Sequence, residues 1–162
     1  MRPGRARPTH GAMLRIGDKA PDFSGRDQNG QEIRSRDLLA KGPVVIYFYP
    51  KDFTPGCTQE ACMFRDAFAD LDAKGAAIVG VSLDSEASHK RFSDTHGLPF
   101  SLLADTDKAI AKRFDVLRLF GFMIKRVTYV IGKDGKIRGV FHHELSMKRH
   151  VEDVQSALTA LA

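Results

Sequence analysis

Short apolar runs separated by amphipathic stretches set the plan of the chain. Pro43 to Tyr49 is a continuous run of β-branched and aromatic residues that stops at Pro50, the composition of a strand buried on both faces. Ala76 to Leu83 repeats that character and Phe100 to Leu103 is a shorter version. Arg126 to Ile131 and Lys136 to Phe141 flank Lys133-Asp134-Gly135 as a hairpin. Between these runs the period lengthens. From Cys57 to Ala73 apolar residues recur at Phe64, Ala67, Phe68 and Leu71, with Arg65, Asp66 and Asp70 facing outward, and Gly75 ends the pattern. Ser85 caps a second helix to about His96, stopped by Gly97, and Asp105 or Thr106 opens a third over Lys108 to Phe114. Ser146 caps a last helix with Val151, Val154, Leu158 and Leu161 on its inner face.

Nearer the start, Leu14 to Ala20 leads into a short strand, Pro21 to Gly25. Asp27-Gln28-Asn29-Gly30 closes a hairpin with Gln31 to Arg34, since Asn-Gly suits the positive φ of a tight turn. Ser35 then N-caps a brief helix over Arg36 to Ala40. Val116 to Ile124 fits neither period and reads as a loop with hydrophobic packing. Strands alternating with helices and closing on an antiparallel hairpin predict an α/β fold. The expectation is a thioredoxin-like central mixed β-sheet with helices on both faces.

Composition narrows the functional classes. At 162 residues, 43% hydrophobic and 28% charged, the chain suits one soluble domain with a core of its own. The domain is expected over 13–162, with 1–12 a disordered tail rich in Arg, Pro and Gly; Met13 is an alternative start, and an organelle address an alternative use of the tail. That tail lacks the apolar stretch of a secretory signal, so a cytoplasmic location is expected. Much of the net charge of +5 sits in the first fifteen residues, in Arg2, Arg5, Arg7 and Arg15. Beyond them charges are nearly balanced, without a basic stripe interleaved with aromatics, so no nucleic-acid partner is expected. No segment approaches the ~20 apolar residues of a membrane span, and no membrane partner is expected.

Candidate chemistry is concentrated at one place. The only two cysteines, Cys57 and Cys62, lie five residues apart where the first buried strand gives way to a helix. An ordinary thiol, with pKa near ~8.5, is about 3% thiolate at neutral pH. In the first turn of a helix, unpaired N–H groups and the macrodipole favour the anion and lower such pKa values to roughly 3.5–7.5. The alternative for Cys57 is a buried, inert thiol; Thr54 and the turn-forming Pro55-Gly56 argue for the reactive one. On an intact helix, positions five apart have Cα atoms ~8.6 Å apart, beyond the ~7 Å that a disulfide spans. Joining the two sulfurs therefore requires local unwinding. From spacing alone, Cys62 serves equally as a second thiol or as a small core residue. A zinc site would need further ligands; His142-His143 and His150 are far off without ligand spacing, so no metal is expected. His89 and His96 fall on a helix read as exposed, solvated or packed rather than catalytic.

Pro50-x-x-x-Thr54-x-x-Cys57 resembles the active-site signature of the peroxiredoxins, cysteine-dependent peroxidases. The longer string Phe48 to Cys62 is similar to the bacterioferritin-comigratory-protein, or peroxiredoxin Q, subfamily, including the second cysteine five positions on. The likeness runs through Gly80 to Ser85, His89 to Phe92, Leu98 to Phe100 and Arg126 to Ile131, covering about 14–160. It implies that Cys57 is the peroxidatic nucleophile and Cys62 the resolving thiol. It also implies that Thr54 hydrogen-bonds thiolate and peroxide, that Pro50 shields the site from water, and that Arg126 points at the thiolate from across the pocket. On residue type alone, Arg126 is equally a surface arginine at a strand edge. The family implies hydrogen peroxide or an alkyl hydroperoxide as substrate, thioredoxin or a similar dithiol as reductant, no cofactor, and a monomer. Phe53 stands where relatives often have a small or acidic residue, and Leu117 to Lys125 aligns poorly. Two other readings are a thioredoxin-like thiol–disulfide oxidoreductase acting on proteins, and a non-enzymatic binding or chaperone protein with structural cysteines.

Overall fold

The structure is a computed structural model describing residues 13–142 and 146–161. The expected tail over 1–12 and His143 lie outside the described residues. In chain order the elements are β1 (Ser24–Arg26), β2 (Glu32–Arg34), α1 (Ser35–Leu39), β3 (Val44–Phe48), α2 (Pro55–Ala73), β4 (Ala77–Ser82) and α3 (Glu86–His96). They continue with β5 (Ser101–Ala104), α4 (Ala109–Arg113), β6 (Leu117–Arg118), β7 (Met123–Ile124), β8 (Val127–Ile131), β9 (Ile137–Phe141) and α5 (Met147–Leu161).

The central sheet has the order β5-β4-β3-β8-β9. β3 runs parallel to β4, and β4 to β5, while β8 is antiparallel to both β3 and β9. β3 is buried along its whole length because it separates two cores. Its side chains alternate across the sheet, as strand geometry requires. Val44, Ile46 and Phe48 join Val79, Val81, Phe114 and Tyr129 on one face, with α4 and the α1 leucines. Val45 and Tyr47 join Phe64, Phe92, Val154 and Leu158 on the other, under α2, α3 and α5. Gly80 is needed here: a Cβ on it would come within 2.8 Å of the Tyr47 ring and of Leu102. The expected mixed sheet covered on both faces is what forms.

Local differences have identifiable causes. Ser35 is not the N-cap of α1; that position is Arg34, and the Ser35 hydroxyl instead accepts the Phe23 N–H at 3.0 Å. Arg65 does not simply face outward, since its guanidinium donates to the His96 carbonyl at 2.8 Å. Val116 to Ile124 is not a loop: β6 and β7 pair antiparallel around a tip in which Leu119, Phe120 and Gly121 all have positive φ. Its pattern was hidden because only Val116 and Ile124 are buried in the core while the tip side chains are exposed. Ser85 caps α3 through the Ser88 N–H and Gly97 ends it at φ 59°, as read from the sequence. The Asp105 carboxylate receives the N–H groups of Ile110 and Ala111 and so starts α4. Among the described residues, no helix is long and apolar enough to cross a membrane.

Candidate active site

The carboxyl end of β3 delivers the chain into the site. Phe48 pairs with Val127 across the sheet, so Arg126, one residue before β8, arrives at the same end as Pro50 and the loop that follows it. Pro50 is half-buried. Thr54 occupies the N-cap position of α2 with extended backbone, Pro55 takes the first helical turn, where its missing N–H costs nothing, and Cys57 follows in that turn. The Thr54 hydroxyl does not cap the helix; it donates to the Lys51 carbonyl at 2.7 Å.

Cys57 is 1% exposed. The Arg126 guanidinium donates through Nη2 to Cys57 Sγ at 3.3 Å and through Nη1 to Glu60 Oε1 at 2.8 Å. Cys57 and Glu60 lie one turn apart on α2 and therefore share a face; the fork of the guanidinium fits both at once. Arg126 is buried, not a surface residue at a strand edge. Burial works against its charge, but the facing Glu60 carboxylate and Cys57 sulfur outweigh that and raise its pKa above the ordinary arginine value. Gly56 keeps this contact open, because a Cβ there would lie 3.1 Å from Arg126 Nη2. Below, His150 of α5 hydrogen-bonds Thr128 and brings Nε2 to 3.7 Å from Glu60 Oε2. The neighbouring Tyr47 phenol is pushed well up by burial and further by Glu60 and Cys57.

Cys62 is half-buried on the same unbroken helix, and both thiols are free. Its Sγ lies 3.8 Å from His96 Nδ1, at the end of α3. The structure thus brings Cys57, Arg126 and the Thr54 position together, and sets Cys62 on the part of α2 that faces α3.

A second polar cluster fixes the loop. Asp52 accepts from the Tyr49 hydroxyl at 2.6 Å, from Ser88 Oγ at 2.8 Å and from the His89 ring at 2.7 Å. The other His89 nitrogen meets the Leu103 carbonyl at 2.9 Å. Of the two readings of His89, solvated or packed, the packed one holds, and it serves as a buried brace. Asp84 receives the Asp52 N–H at 2.9 Å and the Ser82 hydroxyl at 2.6 Å. Ligand atoms of Asp52, Asp84 and His89 lie within 4.8 Å of one another, a spacing a cation could use, but here they are engaged by these hydrogen bonds. Sequence reasoning missed Glu60 and Asp52, and it gave His89 as solvated or packed without a partner. Glu60 had one available signal, its position one turn beyond Cys57.

Comparison with known proteins agrees with this geometry. The AhpC/TSA family matches residues 16–140. Peroxiredoxin Q, chloroplastic, of Sedum lineare is 39% identical over 151 residues, covering 93% of this chain and 81% of its own length. Among solved structures, Peroxidoxin BcpB from Mycobacterium tuberculosis aligns with a TM-score of 0.87 at 38% identity, covering 92% of this chain and 99% of that one. Xanthomonas campestris Peroxiredoxin Q aligns at 0.78 and 34% identity, covering 85% and 90%. With a buried sulfur at the start of α2, an arginine aimed at it, and relatives of this closeness over nearly the whole chain, the protein belongs to the AhpC/TSA family, among peroxiredoxins of the Q type.

Proposed function

We propose that Cys57 is the peroxidatic sulfur of this thiol-dependent peroxidase and Cys62 its resolving partner. The observation that carries the reading is the 3.3 Å contact between Arg126 Nη2 and a buried Cys57 Sγ in the first turn of α2. A cation and helix-end N–H groups favour the sulfur anion and can stabilise charge developing on the departing peroxide oxygen. The anion attacks the terminal oxygen of hydrogen peroxide or an alkyl hydroperoxide. The S–O bond forms as O–O breaks, and the oxygen that leaves takes up a proton as water or alcohol; Cys57 is left as sulfenic acid. Thr54, whose hydrogen is given to Lys51, keeps lone pairs that accept the peroxide O–H. Pro50, half-buried beside the loop, limits water.

The first turns of α2 then unwind and the Cys62 sulfur displaces hydroxide from the sulfenic acid, which departs as water once protonated, leaving an intramolecular disulfide. His96 Nδ1, 3.8 Å from Cys62, is placed to take the thiol proton. A dithiol such as thioredoxin restores both thiols by exchange. The working form in this reading is a cytoplasmic monomer built on one domain over 13–162. Mass mapping after one equivalent of peroxide tests it: a Cys57–Cys62 disulfide is expected, and persistent sulfenic acid at Cys57 with Cys62 unmodified would remove the resolving role.

A further inference from the structure

The β6–β7 hairpin carries the most exposed aromatic side chains among the described residues. Phe120 is 104% exposed and Phe122 77%, with Leu119 beside them at 56%. They sit on a tip whose backbone is left-handed at Leu119, Phe120 and Gly121, a conformation non-glycine residues adopt at a cost. Nothing in the core requires those two rings. The hairpin is flanked by Arg118 and Lys125, and the Lys108 ammonium lies 5.6 Å over the Phe122 ring. From Val116 to Arg126 there is no acidic residue; Asp107 and Asp115 are the acids on the adjoining turns.

We propose that this hairpin docks the protein onto an anionic lipid surface, with Phe120 and Phe122 inserted at the headgroup level. Three arguments select that occupant. The tip offers roughly 450 Å² of apolar side chain, taking ~200 Å² for a phenyl group, well short of the ~800 Å² per partner that a stable protein interface buries. The rim is cationic, which opposes a second copy of the same tip and attracts anionic headgroups. Exposed aromatics above a basic rim are the arrangement of surface-bound amphipathic segments. Absence of a spanning segment excludes only a span. The hairpin leaves the end of the sheet that holds Cys57, and Phe122 is four residues from Arg126, hence at most roughly 14 Å along the backbone. Resting on the peroxidase reading above, the docked protein would present its pocket to hydroperoxides of lipids.

The chain contains no tryptophan, so Phe120→Trp supplies a single fluorescent probe at the tip. Vesicles of phosphatidylcholine with phosphatidylglycerol are expected to shift its emission to the blue and to sediment the protein, an effect weakened by high salt and by omitting phosphatidylglycerol. Phe120→Asp with Phe122→Asp is expected to lower vesicle partitioning at least tenfold while hydrogen peroxide turnover and circular dichroism stay as in the parent. An unshifted emission, equal sedimentation of the double variant, or a dimer in gel filtration that the double variant dissolves would each overturn the proposal. Vesicle binding is read without peroxide, so loss of turnover with binding intact counts against the catalytic reading alone.

Discussion

Replacing Arg126 by Met separates two things its guanidinium does. In the structure one arm holds Cys57 Sγ at 3.3 Å and the other holds Glu60 Oε1 at 2.8 Å, and all three residues are buried. Removing a donor aimed at developing charge typically costs about 10²–10³ in rate. Removing one partner of a buried ion pair typically costs about 3–5 kcal/mol of stability. Arg126→Met should therefore lose both, since it takes away the donor that meets Glu60 Oε1 at 2.8 Å. Adding Glu60→Gln takes away the negative charge that the guanidinium had balanced, so stability should return in large part while the peroxide rate stays low. Stopped-flow competition for hydrogen peroxide reads the rate, and urea unfolding reads the stability. If Arg126→Met reacted with peroxide as fast as the parent, or if the second substitution restored the rate along with stability, the assignment of Arg126 to the reacting sulfur would be refuted.

Other outcomes follow from the same geometry. Gly56→Ala places a Cβ 3.1 Å from Arg126 Nη2; a displacement of a few tenths of an ångström should slow peroxide reduction roughly tenfold with little change in unfolding midpoint. Cys62→Ser should reduce one peroxide per chain, retain sulfenic acid at Cys57 by mass spectrometry, and fail to turn over with a dithiol at the parent rate. Asp52→Ala removes the acceptor of two buried donors, Tyr49 and His89, and of the half-buried Ser88 hydroxyl, and should cost about 3 kcal/mol or more in urea unfolding; an unchanged midpoint would show that the brace on the loop is unimportant. The alkaline limit is set by the tyrosines. Burial raises all three phenols, Tyr129 to about 12 and Tyr47 and Tyr49 well above their ordinary value. A raised folded-state pKa means the contribution is intact below ~10, the unfolded value, and is lost as pH rises toward the folded one, by about 1.4 kcal/mol per unit for each group. Absorbance at 295 nm should therefore show the tyrosines ionising together with unfolding, not separately near pH 10.

The sheet was legible because its strands are buried on both faces, so Pro43 to Tyr49 and Ala76 to Leu83 stand out as continuous apolar runs. Caps at Ser85 and Gly97 were legible because capping is local in sequence. What depends on distant partners was not. Ser35 has the right residue type for a cap, but its hydroxyl is taken by Phe23, twelve residues back. His89 sits on a helix whose polar spacing reads as exposed, and only the arrival of Asp52 and of β5 makes it a buried brace. The β6–β7 hairpin defeated the period test because the apolar side chains of its tip face outward while Ile124 is buried. At the site, Cys57 was marked by helix-entry chemistry and Arg126 by resemblance. Glu60 was passed over because a carboxylate on a helix is ordinarily a solvated one, and its burial comes from Arg126, 66 residues away.

The central claim is that the pocket around Cys57 activates the O–O bond toward attack by its sulfur. The bimolecular rate of that sulfur with hydrogen peroxide at neutral pH, set beside free cysteine under the same conditions, tests it most directly. An enhancement of about 10³ or more is expected if the Arg126 donor and the helix N-terminus act on the transition state. A rate equal to that of free cysteine would contradict the account.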